Sequence, residues 1–408
     1  MVLPDSVRPL PADDLSWFAD LVGDARVVAI GENNHHIREF SLLRAQLLRF
    51  LVTELDFRVV AFESGFAEGQ LVDDWIRGGP GDVTAVARDG FTFRFGEAPE
   101  VVDMLVWLRE HNASGGRVRF AGLDVPGSGG SGEPALRRVR EHLAARAPEQ
   151  LPLVDAVLEA IQPYAAANNG LAANRYAELA EADRNAATAA LSRLLLRLDA
   201  LPAGSDRGAH RIARHHALGA LRVDEQLREF NALAEPDRPE LVVSSRDVYQ
   251  AETVRLLREL LGPEERVVLM LHNGHAQRVP IQLLPGVRAR SAGCYLAAEL
   301  GSDYVALGVT ACTGVTTAAR LDEQAHWGLE VLREPLGPPS AGSVERIVAD
   351  HVPGAPALLD LRSARPGAEP VTIRHATTEV PVDLPAAFDA VVCLPEMNPS
   401  SVARRTNG

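Results

Sequence analysis

The chain has 408 residues, of which 46% are hydrophobic, and it carries a formal net charge of −14 at pH 7. This length and hydrophobic content predict a large buried core and about two to three domain-sized units. The negative charge argues against nucleic acid as a partner, because phosphate binding needs a basic surface. No apolar run approaches the roughly 18 residues of a membrane span, so we expect no membrane partner.

The cysteines and the N-terminus predict a cytoplasmic protein. Cys294, Cys312 and Cys393 are scattered and odd in number, and they form neither a disulfide framework nor a CxxC metal motif. Free cysteines are typical of a reducing compartment. The first five residues also lack the basic and apolar segments of a signal peptide.

A short polar segment at 31–36 lies between the first predicted strand and the first long predicted helix. Residues 26–30 are apolar, β-branched and too few for a helix, which predicts a buried strand. Over 37–55, apolar residues recur at helical spacing. Glu32 and His35 therefore follow the carboxyl end of a strand, where open α/β sheets bind ligands. A loop that only caps the helix is the alternative.

Three later apolar segments also end in titratable side chains. The predicted strands are 57–63, which ends in Glu63, 118–124, which ends in Asp124, and 266–271, which is followed by His272, Asn273 and His275. Because parallel strands place their carboxyl ends on one edge of a sheet, these groups are expected to converge with Glu32 and His35. A single acid at a strand end is often only a helix cap, so the recurrence at four strands is what indicates a site.

The alternation of strands and helices predicts an α/β fold with a mainly parallel central sheet flanked by helices. Further strands are predicted at 304–309, 357–361 and 390–394. The predicted division is a first part of the α/β core at 1–132, a helical insertion at 133–235, a second part of the core at 236–400 and a disordered tail at 401–408. The Gly/Ser stretch at 126–132 is expected to be a flexible loop.

The residue types at the predicted strand ends suit proton transfer. Histidine titrates near neutral pH, and a neighbouring carboxylate can orient its ring and stabilise its charged form. Such a pair suits activation of water against a carbonyl group, while the second histidine pair polarises the carbonyl oxygen or protonates the leaving group. No serine lies in a GxSxG motif and no cysteine lies at these strand ends, so covalent catalysis by either is not indicated.

A metal site is the competing interpretation of the same residues. His272 and His275 can supply three or four ligands together with Glu32, His35 and Glu63. However, Glu32 and His35 do not have the spacing of the HExxH motif, and the two later histidines fall in a loop. We therefore predict neither a metal nor another cofactor. Other histidines are interpreted as surface or core residues: His210, His215, His216, His326 and His351.

Taken in order, these motifs resemble those of the erythromycin esterase family. The resemblance rests on Gly31-Glu32-x-x-His35, Arg44 on the following helix, Glu63 at a strand end, Gly122-x-Asp124, Arg246-Asp247 and His272-Asn273-x-His275. It implies an α/β core whose helical insertion forms one wall of an active-site cleft. It also implies a metal-independent hydrolase for an ester or lactone of a macrolide or other polyketide-type small molecule.

The resemblance further implies that His35 is the general base on water and that Glu32 and Glu63 orient it. It also implies that His272 and His275 contact the substrate carbonyl or act as acid, and that Arg44 holds the carboxylates by bidentate hydrogen bonds. The remaining residues are implied to bind the substrate or to support the site: His36, Asn33, Asp124, Asn273 and Arg246.

The chain departs from the family pattern beside the expected base. The residue after His35 is usually small, often glycine, but here it is His36, and the two preceding positions, also usually small, are Asn33 and Asn34. Loops tolerate such changes. The alternative is a biosynthetic enzyme of secondary metabolism in which the same site catalyses elimination, dehydration or cyclisation. A non-catalytic binding protein is the third hypothesis, since a fold does not fix a function.

Overall fold

A computed structural model describes residues 6–11, 14–233, 239–364 and 371–404. The strands in this part of the chain are β1 (Val7–Pro9), β2 (Val27–Ile30), β3 (Phe57–Gly65), β4 (Arg119–Asp124), β5 (Leu241–Val242), β6 (Arg266–Met270), β7 (Ile281–Leu284), β8 (Val287–Ala289), β9 (Tyr304–Leu321), β10 (Leu329–Pro335), β11 (Ala357–Asp360), β12 (Val371–His375), β13 (Thr378–Val382) and β14 (Ala390–Met397). The helices are α1 (Ser16–Val22), α2 (Arg38–Glu54), α3 (Phe66–Ile76), α4 (Val83–Gly90), α5 (Pro99–Ala113), α6 (Glu133–Arg146), α7 (Leu151–Ile161), α8 (Asn169–Glu178), α9 (Glu181–Ala200), α10 (Arg207–Leu233), α11 (Ser245–Leu261), α12 (Asn273–Ala276), α13 (Ala292–Leu300), α14 (Val344–His351) and α15 (Leu384–Ala387).

The main sheet has the strand order β1-β11-β14-β9-β2-β6-β3-β4, and β10 pairs with the far half of β9. The strands from β14 to β4 run parallel to one another. The pairs β1–β11, β11–β14 and β9–β10 are antiparallel. Helices cover both faces, so the predicted fold class, a mainly parallel sheet flanked by helices, is confirmed.

The central strand β2 shows why this sequence forms a sheet that is buried on both faces. Val27, Val28, Ala29 and Ile30 are all fully buried. Alternate side chains point to opposite faces, so Val28 and Ile30 pack with α2 and α5, while Val27 and Ala29 pack with α11 and α13. A continuous apolar run is what a parallel strand with two covered faces requires.

The four strands that end in titratable residues are neighbours in the sheet. β2, β6, β3 and β4 lie side by side in that order and run in the same direction. Their carboxyl ends form one continuous edge, which carries Glu32, Glu63, Asp124 and His272. The sequence predicts all four strands, and their adjacency gives the four groups a common location.

Helices α6 to α10 form a layer with its own hydrophobic core. Leu136, Val157, Leu194 and Leu227 are buried in this core, and Tyr249 of α11 joins it from the α/β part. The helices fall within the predicted insertion, but its predicted boundary between residues 235 and 236 lies outside the described residues. The division of the chain into units therefore stays a prediction.

The Gly/Ser stretch after β4 is not the flexible loop that the sequence predicts. Pro126–Gly129 forms a buried turn with positive φ at Gly127 and Ser128, and the Gly127 N–H donates to Glu68 Oε1 at 2.9 Å. Gly129 has a φ of +82° and lies so close to α10 that a Cβ there would be 2.4 Å from Gln226 Oε1. These glycines therefore allow a tight turn against α10.

The predicted disordered tail at 401–408 begins instead as a paired segment. The Arg404 N–H donates to the Val331 carbonyl at 2.9 Å, and the Arg333 N–H donates to the Arg404 carbonyl at 3.0 Å. Residues 405–408 lie outside the described residues. Pairing with the otherwise open edge of β10 fixes the first part of the tail.

Two small sheets were not predicted from the sequence. They are the three-stranded sheet β5-β8-β7 and the hairpin of β12 and β13. Their strands are short. The turn between β12 and β13 contains no glycine, so the sequence signal of that hairpin is weak, whereas Pro285 and Gly286 between β7 and β8 are a turn signal that the prediction did not use. Within the described ranges, no helix is both long enough and apolar enough to cross a membrane.

Candidate active site

A cleft of about 650 Å³ opens at the carboxyl edge of the parallel strands. One end is polar and is lined by His35, Glu63, Arg246 and His275. The other end is apolar and is formed by α10, β7 and the segment around β5, with the side chains Phe230, Leu233, Leu241, Val242, Val243, Ile281 and Leu283. A cleft of this size is typical of a site for a drug-sized ligand.

His35 is held by a chain of charged hydrogen bonds that begins at Arg44. Arg44 Nη1 donates to Glu32 Oε2 at 2.6 Å, and His35 Nδ1 lies 2.9 Å from Glu32 Oε1. Burial alone would raise the pKa of Glu32, but the charge of Arg44 and the contact with His35 outweigh it and lower that pKa. Because Glu32 is ionised, Nδ1 of His35 carries the hydrogen, and Nε2 is left as an acceptor.

Glu63 is a buried carboxylate at the centre of the site. Arg246 Nη2 donates to its Oε1 at 2.7 Å, and the His272 N–H donates to its Oε2 at 2.6 Å. The Nε2 atoms of His275 and His35 lie 3.4 and 3.8 Å from Oε1. Burial would raise the pKa of Glu63, but these histidines and Arg246 hold it far below its usual value, so Glu63 stays ionised.

Arg246 joins Glu63 to Asp124, which is also fully buried. Its Nε and Nη2 atoms donate to both carboxylate oxygens of Asp124, at distances from 2.6 to 3.0 Å. The same Nη2 donates to Glu63. One guanidinium therefore pairs with two buried acids, from the ends of β3 and β4, and removing it would take away the arginine that both acids share.

His275 is paired with an acid that is absent from the predicted site residues. His275 Nδ1 donates to Asp247 Oδ1 at 2.6 Å, and the Ala292 N–H and Ser244 hydroxyl also donate to Asp247. Burial lowers the pKa of His275, but the charges of Asp247 and Glu63 outweigh it and raise that pKa above its usual value. His275 therefore keeps its proton to higher pH than an ordinary histidine.

His272 contacts the protein through both ring nitrogens. Its Nδ1 accepts from the Gly274 N–H at 3.0 Å, so the hydrogen lies on Nε2, which donates to the Asn33 carbonyl at 2.8 Å. Burial holds the pKa of His272 well below its usual value. This geometry differs from the predicted contact with the substrate carbonyl, because no ring nitrogen is left to make it.

The side chains of Asn33 and Asn273 fasten the site loops to β9. Asn273 exchanges two hydrogen bonds with the backbone of Val309, at 2.8 and 3.1 Å, and Asn33 Nδ2 donates to Thr310 Oγ1 at 2.8 Å. Neither asparagine lines the cleft. Both side chains support the loops and lie outside the lining that a ligand in the cleft would touch.

His36 points into the interior beside the site. Its φ is +60°, a region that glycine adopts without strain and that other residues adopt rarely. The ring stacks on Phe95 at 5.1 Å between centroids. Burial lowers the pKa of His36 to about 3, so the ring is neutral at neutral pH. His36 contributes to a neighbouring cavity of about 280 Å³ and does not line the main cleft.

Several cleft residues are absent from the predicted site, and among them are the titratable residues Asp247, Glu229 and His375. Asp247 is part of the Arg246-Asp247 motif, but only Arg246 was assigned a role. Ser244 caps α11 by accepting a hydrogen bond from the Asp247 N–H. His375 lies at the end of β12 and reaches the cleft from a part of the chain with no recognised motif. No strand was predicted at 371–375, so a search at the ends of predicted strands could not find His375.

The residues of the metal hypothesis have other partners. Glu32 and Glu63 bind arginines, and both ring nitrogens of His272 contact backbone groups. In the ranges that the structure describes, no group of three or more His, Cys, Asp or Glu side chains is arranged to hold a metal ion.

Comparison with known proteins places this chain in a family. The model of the erythromycin esterase family matches residues 52–397, which is most of the chain. The chain belongs to the erythromycin esterase family. The matched range begins after 31–36, so the likeness does not depend on the residues around His35. Membership supports an esterase, and therefore a hydrolase, as the class of enzyme.

The sequences of relatives agree with this membership, and solved structures share the fold. Erythromycin esterase type II of Escherichia coli is 32% identical over 346 residues, which are 83% of this chain and 81% of that protein. Erythromycin esterase type I of E. coli is 25% identical over 399 residues, which are 95% and 94% of the two chains. A mutant of the erythromycin esterase EreC in its open conformation has a TM-score of 0.82, with 22% identity and 96% of each chain covered. A succinoglycan biosynthesis protein shares the fold at a TM-score of 0.75, with 20% identity over 98% of this chain and 97% of that one.

The pair of His275 and Asp247 predicts a pH effect in this esterase. Because the folded-state pKa of His275 is raised, the pair stabilises the fold fully below the ordinary histidine pKa, and this stabilisation is lost as pH rises through the raised value. Replacing Asp247 by Asn removes the charge and keeps an oxygen acceptor, so the pKa of His275 should fall. Titration of the histidine ring signals by NMR would measure the change.

A matched control for this change is Asp350→Asn, since Asp350 is an exposed acid on α14 that pairs with Arg346. It should leave the His275 titration unchanged. An unaltered pKa of His275 in the Asp247→Asn variant would contradict the assignment of this ion pair.

Proposed function

We propose that this chain hydrolyses the ester or lactone bond of a macrolide or other polyketide-type small molecule, with His35 as the general base. The observation that carries the proposal is the Arg44–Glu32–His35 chain beside the cleft. It fixes the hydrogen of His35 on Nδ1 and leaves Nε2 to accept a proton. The names of the two E. coli erythromycin esterases support a macrolide as substrate.

In the proposed reaction, Nε2 of His35 takes a proton from water while the water oxygen attacks the carbonyl carbon of the substrate. The tetrahedral oxyanion then expels the alkoxide oxygen of the ester. That oxygen receives the proton back from Nε2, which gives a carboxylic acid, an alcohol and the original neutral His35. One imidazole that acts first as base and then as acid is sufficient for both proton transfers.

The charges of the site favour a proton on His35 during the reaction. When His275 is protonated, the carboxylates Glu32, Glu63, Asp124 and Asp247 face the cations Arg44, Arg246 and His275. One further proton on His35 therefore makes the number of cations equal to the number of carboxylates, four of each. Glu32 and Glu63 lie 2.9 and 3.8 Å from its two ring nitrogens, so both stabilise the imidazolium.

The apolar end of the cleft supports a large substrate with a hydrocarbon skeleton. Leu241, Val243 and Leu283 line it and are 44%, 57% and 41% exposed. Exposed apolar groups that adjoin a polar site are typical of a surface that a ligand covers. A macrocyclic lactone offers a large apolar face next to a single ester carbonyl, which matches a cleft with one polar and one apolar end.

The unusual residues beside His35 do not add reacting groups to the cleft. The Asn34 amide donates to Thr316 Oγ1 and to the Thr317 carbonyl, at 2.7 and 2.8 Å, and His36 stacks on Phe95. These internal contacts give no support to elimination, dehydration or cyclisation. Hydrolysis is therefore the reaction that we propose.

Labelled water tests the proposal directly. The purified protein is incubated with erythromycin in water enriched in 18O, and the product is analysed by mass spectrometry. Hydrolysis predicts one added water and one 18O atom in the new carboxyl group. A product without label would contradict hydrolysis and indicate a non-hydrolytic reaction. Tight binding of unchanged erythromycin would favour a binding protein.

A further inference from the structure

His375 enters the cleft from a hairpin near the C-terminus. It is the last residue of β12, and Ala376 follows it in the turn to β13 with a φ of +54°. Alanine adopts this left-handed conformation rarely, so other contacts must hold the turn in place. Strained positions of this kind are retained where the surrounding structure fixes them, often at functional sites.

The hairpin is fastened to the loop that carries His35. The Ala376 N–H donates to the Asn33 carbonyl at 2.8 Å, and Nε2 of His272 donates to the same oxygen at 2.8 Å. On the other side of His375, the Arg374 N–H donates to the buried Glu345 at 2.9 Å. These bonds fix the backbone of His375 on both sides.

The ring of His375 contacts the ring of His272 edge-on, with 4.4 Å between centroids and an angle of 66°. His35 contacts the same His272 ring at 5.6 Å. His35 and His375 thus adjoin one common ring at the polar end of the cleft. A carbonyl group that lies over His272 can therefore be within reach of both.

The hydrogen bonds of the site leave His375 free to act on a ligand. Within the described residues, no group makes a hydrogen bond to its ring, whereas His272 uses both nitrogens and His275 uses Nδ1. Burial, together with the nearby His275 and His35, lowers the pKa of His375 to about 4. At neutral pH the ring is uncharged and offers one N–H and one lone pair.

We propose that His375 is a further catalytic residue, whose neutral imidazole donates a hydrogen bond to the substrate carbonyl oxygen as negative charge develops there. The proposal rests on the hydrolysis proposed above. A donor held in place before the reaction stabilises the oxyanion without reorganisation. An uncharged imidazole can do this, and it avoids placing another cation beside His275.

The test compares kcat and KM for the wild type and the His375→Phe variant. Phenylalanine keeps a ring that can pack on His272 but has no hydrogen-bond donor. The substrate is the one hydrolysed fastest among erythromycin and a series of 4-nitrophenyl esters. We expect kcat to fall about 10²- to 10³-fold with little change in KM, as for loss of one oxyanion donor. The fall should be the same across the pH range in which the wild type is active, because His375 does not titrate there.

A second pair of variants keeps the test decisive if the Phe variant does not fold. Asparagine and leucine have similar size, but only asparagine has an N–H donor. His375→Asn should retain at least tenfold higher kcat than His375→Leu. Equal activity of these two, or a wild-type kcat in His375→Phe, would overturn the role of His375.

The outcome also separates this proposal from the proposed function. If the wild type hydrolyses a substrate, His35→Ala does not and His375→Phe is fully active, only the role of His375 is wrong. If the wild type hydrolyses neither erythromycin nor any of the esters, both proposals are overturned together.

Discussion

Replacing His35 by alanine is expected to lower kcat/KM for the macrolide by about 10²- to 10⁴-fold, the range typical of general acid–base catalysis. The variant loses the only imidazole nitrogen that we assign to water activation. Its fold should survive, because the His35 side chain is 28% exposed and its removal leaves Glu32 bound to Arg44. Steady-state kinetics and the midpoint of urea unfolding would measure the two effects separately.

A matched control is His351→Ala, which removes an exposed histidine at the end of α14. The ring of His351 contacts the Ile347 carbonyl at 2.8 Å and is not part of the cleft. This variant should keep wild-type kcat/KM. Activity of His35→Ala equal to that of the control would refute His35 as the base.

Replacing Arg246 by leucine is expected to lower the free energy of unfolding by about 3–5 kcal/mol, as is usual when one partner of a buried ion pair is removed. Asp124 and Glu63 are both fully buried and would share no other arginine. Glu63 has a lowered pKa in the folded protein, so the stabilisation that it contributes is present above its ordinary pKa and is lost as pH falls through the lowered value. The effect of the substitution should therefore shrink in acid.

The same helix provides a control for this prediction. Arg255, also on α11, pairs with Glu299 at the surface, with side chains that are 37% and 44% exposed. Arg255→Leu should change the free energy of unfolding by at most about 1 kcal/mol. Urea unfolding of both variants at neutral pH would measure the two changes in the free energy of unfolding. A loss for Arg246→Leu as small as that for Arg255→Leu would show that the buried network contributes little to stability.

The strands of the core could be predicted because their sequences are constrained by burial. A parallel strand covered on both faces is apolar where it is buried, as β2 is throughout and β6 is after Arg266, and such runs are visible without any structure. The order β2-β6-β3-β4 could not be predicted, since it depends on which helix packs on which face. The β12–β13 hairpin was missed because its strands have only five residues each and the turn between them contains no glycine.

The residues of the candidate site likewise divide into those that the sequence reveals and those that only the structure reveals. His35 and Glu63 were found because they follow predicted strands, and a local pattern shows this directly. The two occupied nitrogens of His272 depend on backbone geometry that no residue type reveals. His375 reaches the cleft only through long-range packing of a hairpin, so its position could come only from the three-dimensional structure.

The hydrogen bonds to the Asn33 carbonyl oxygen bear on when this protein can fold during its synthesis. This oxygen accepts hydrogen bonds from His272, which lies 239 residues later, and from Ala376. β2 likewise lies between β6 and β9, which both come from the second half of the chain. A ribosome that has made the first half has therefore made the base but neither neighbour of its strand. Such non-local pairing slows folding, so the central sheet and the site can be completed only after β14 has been synthesised.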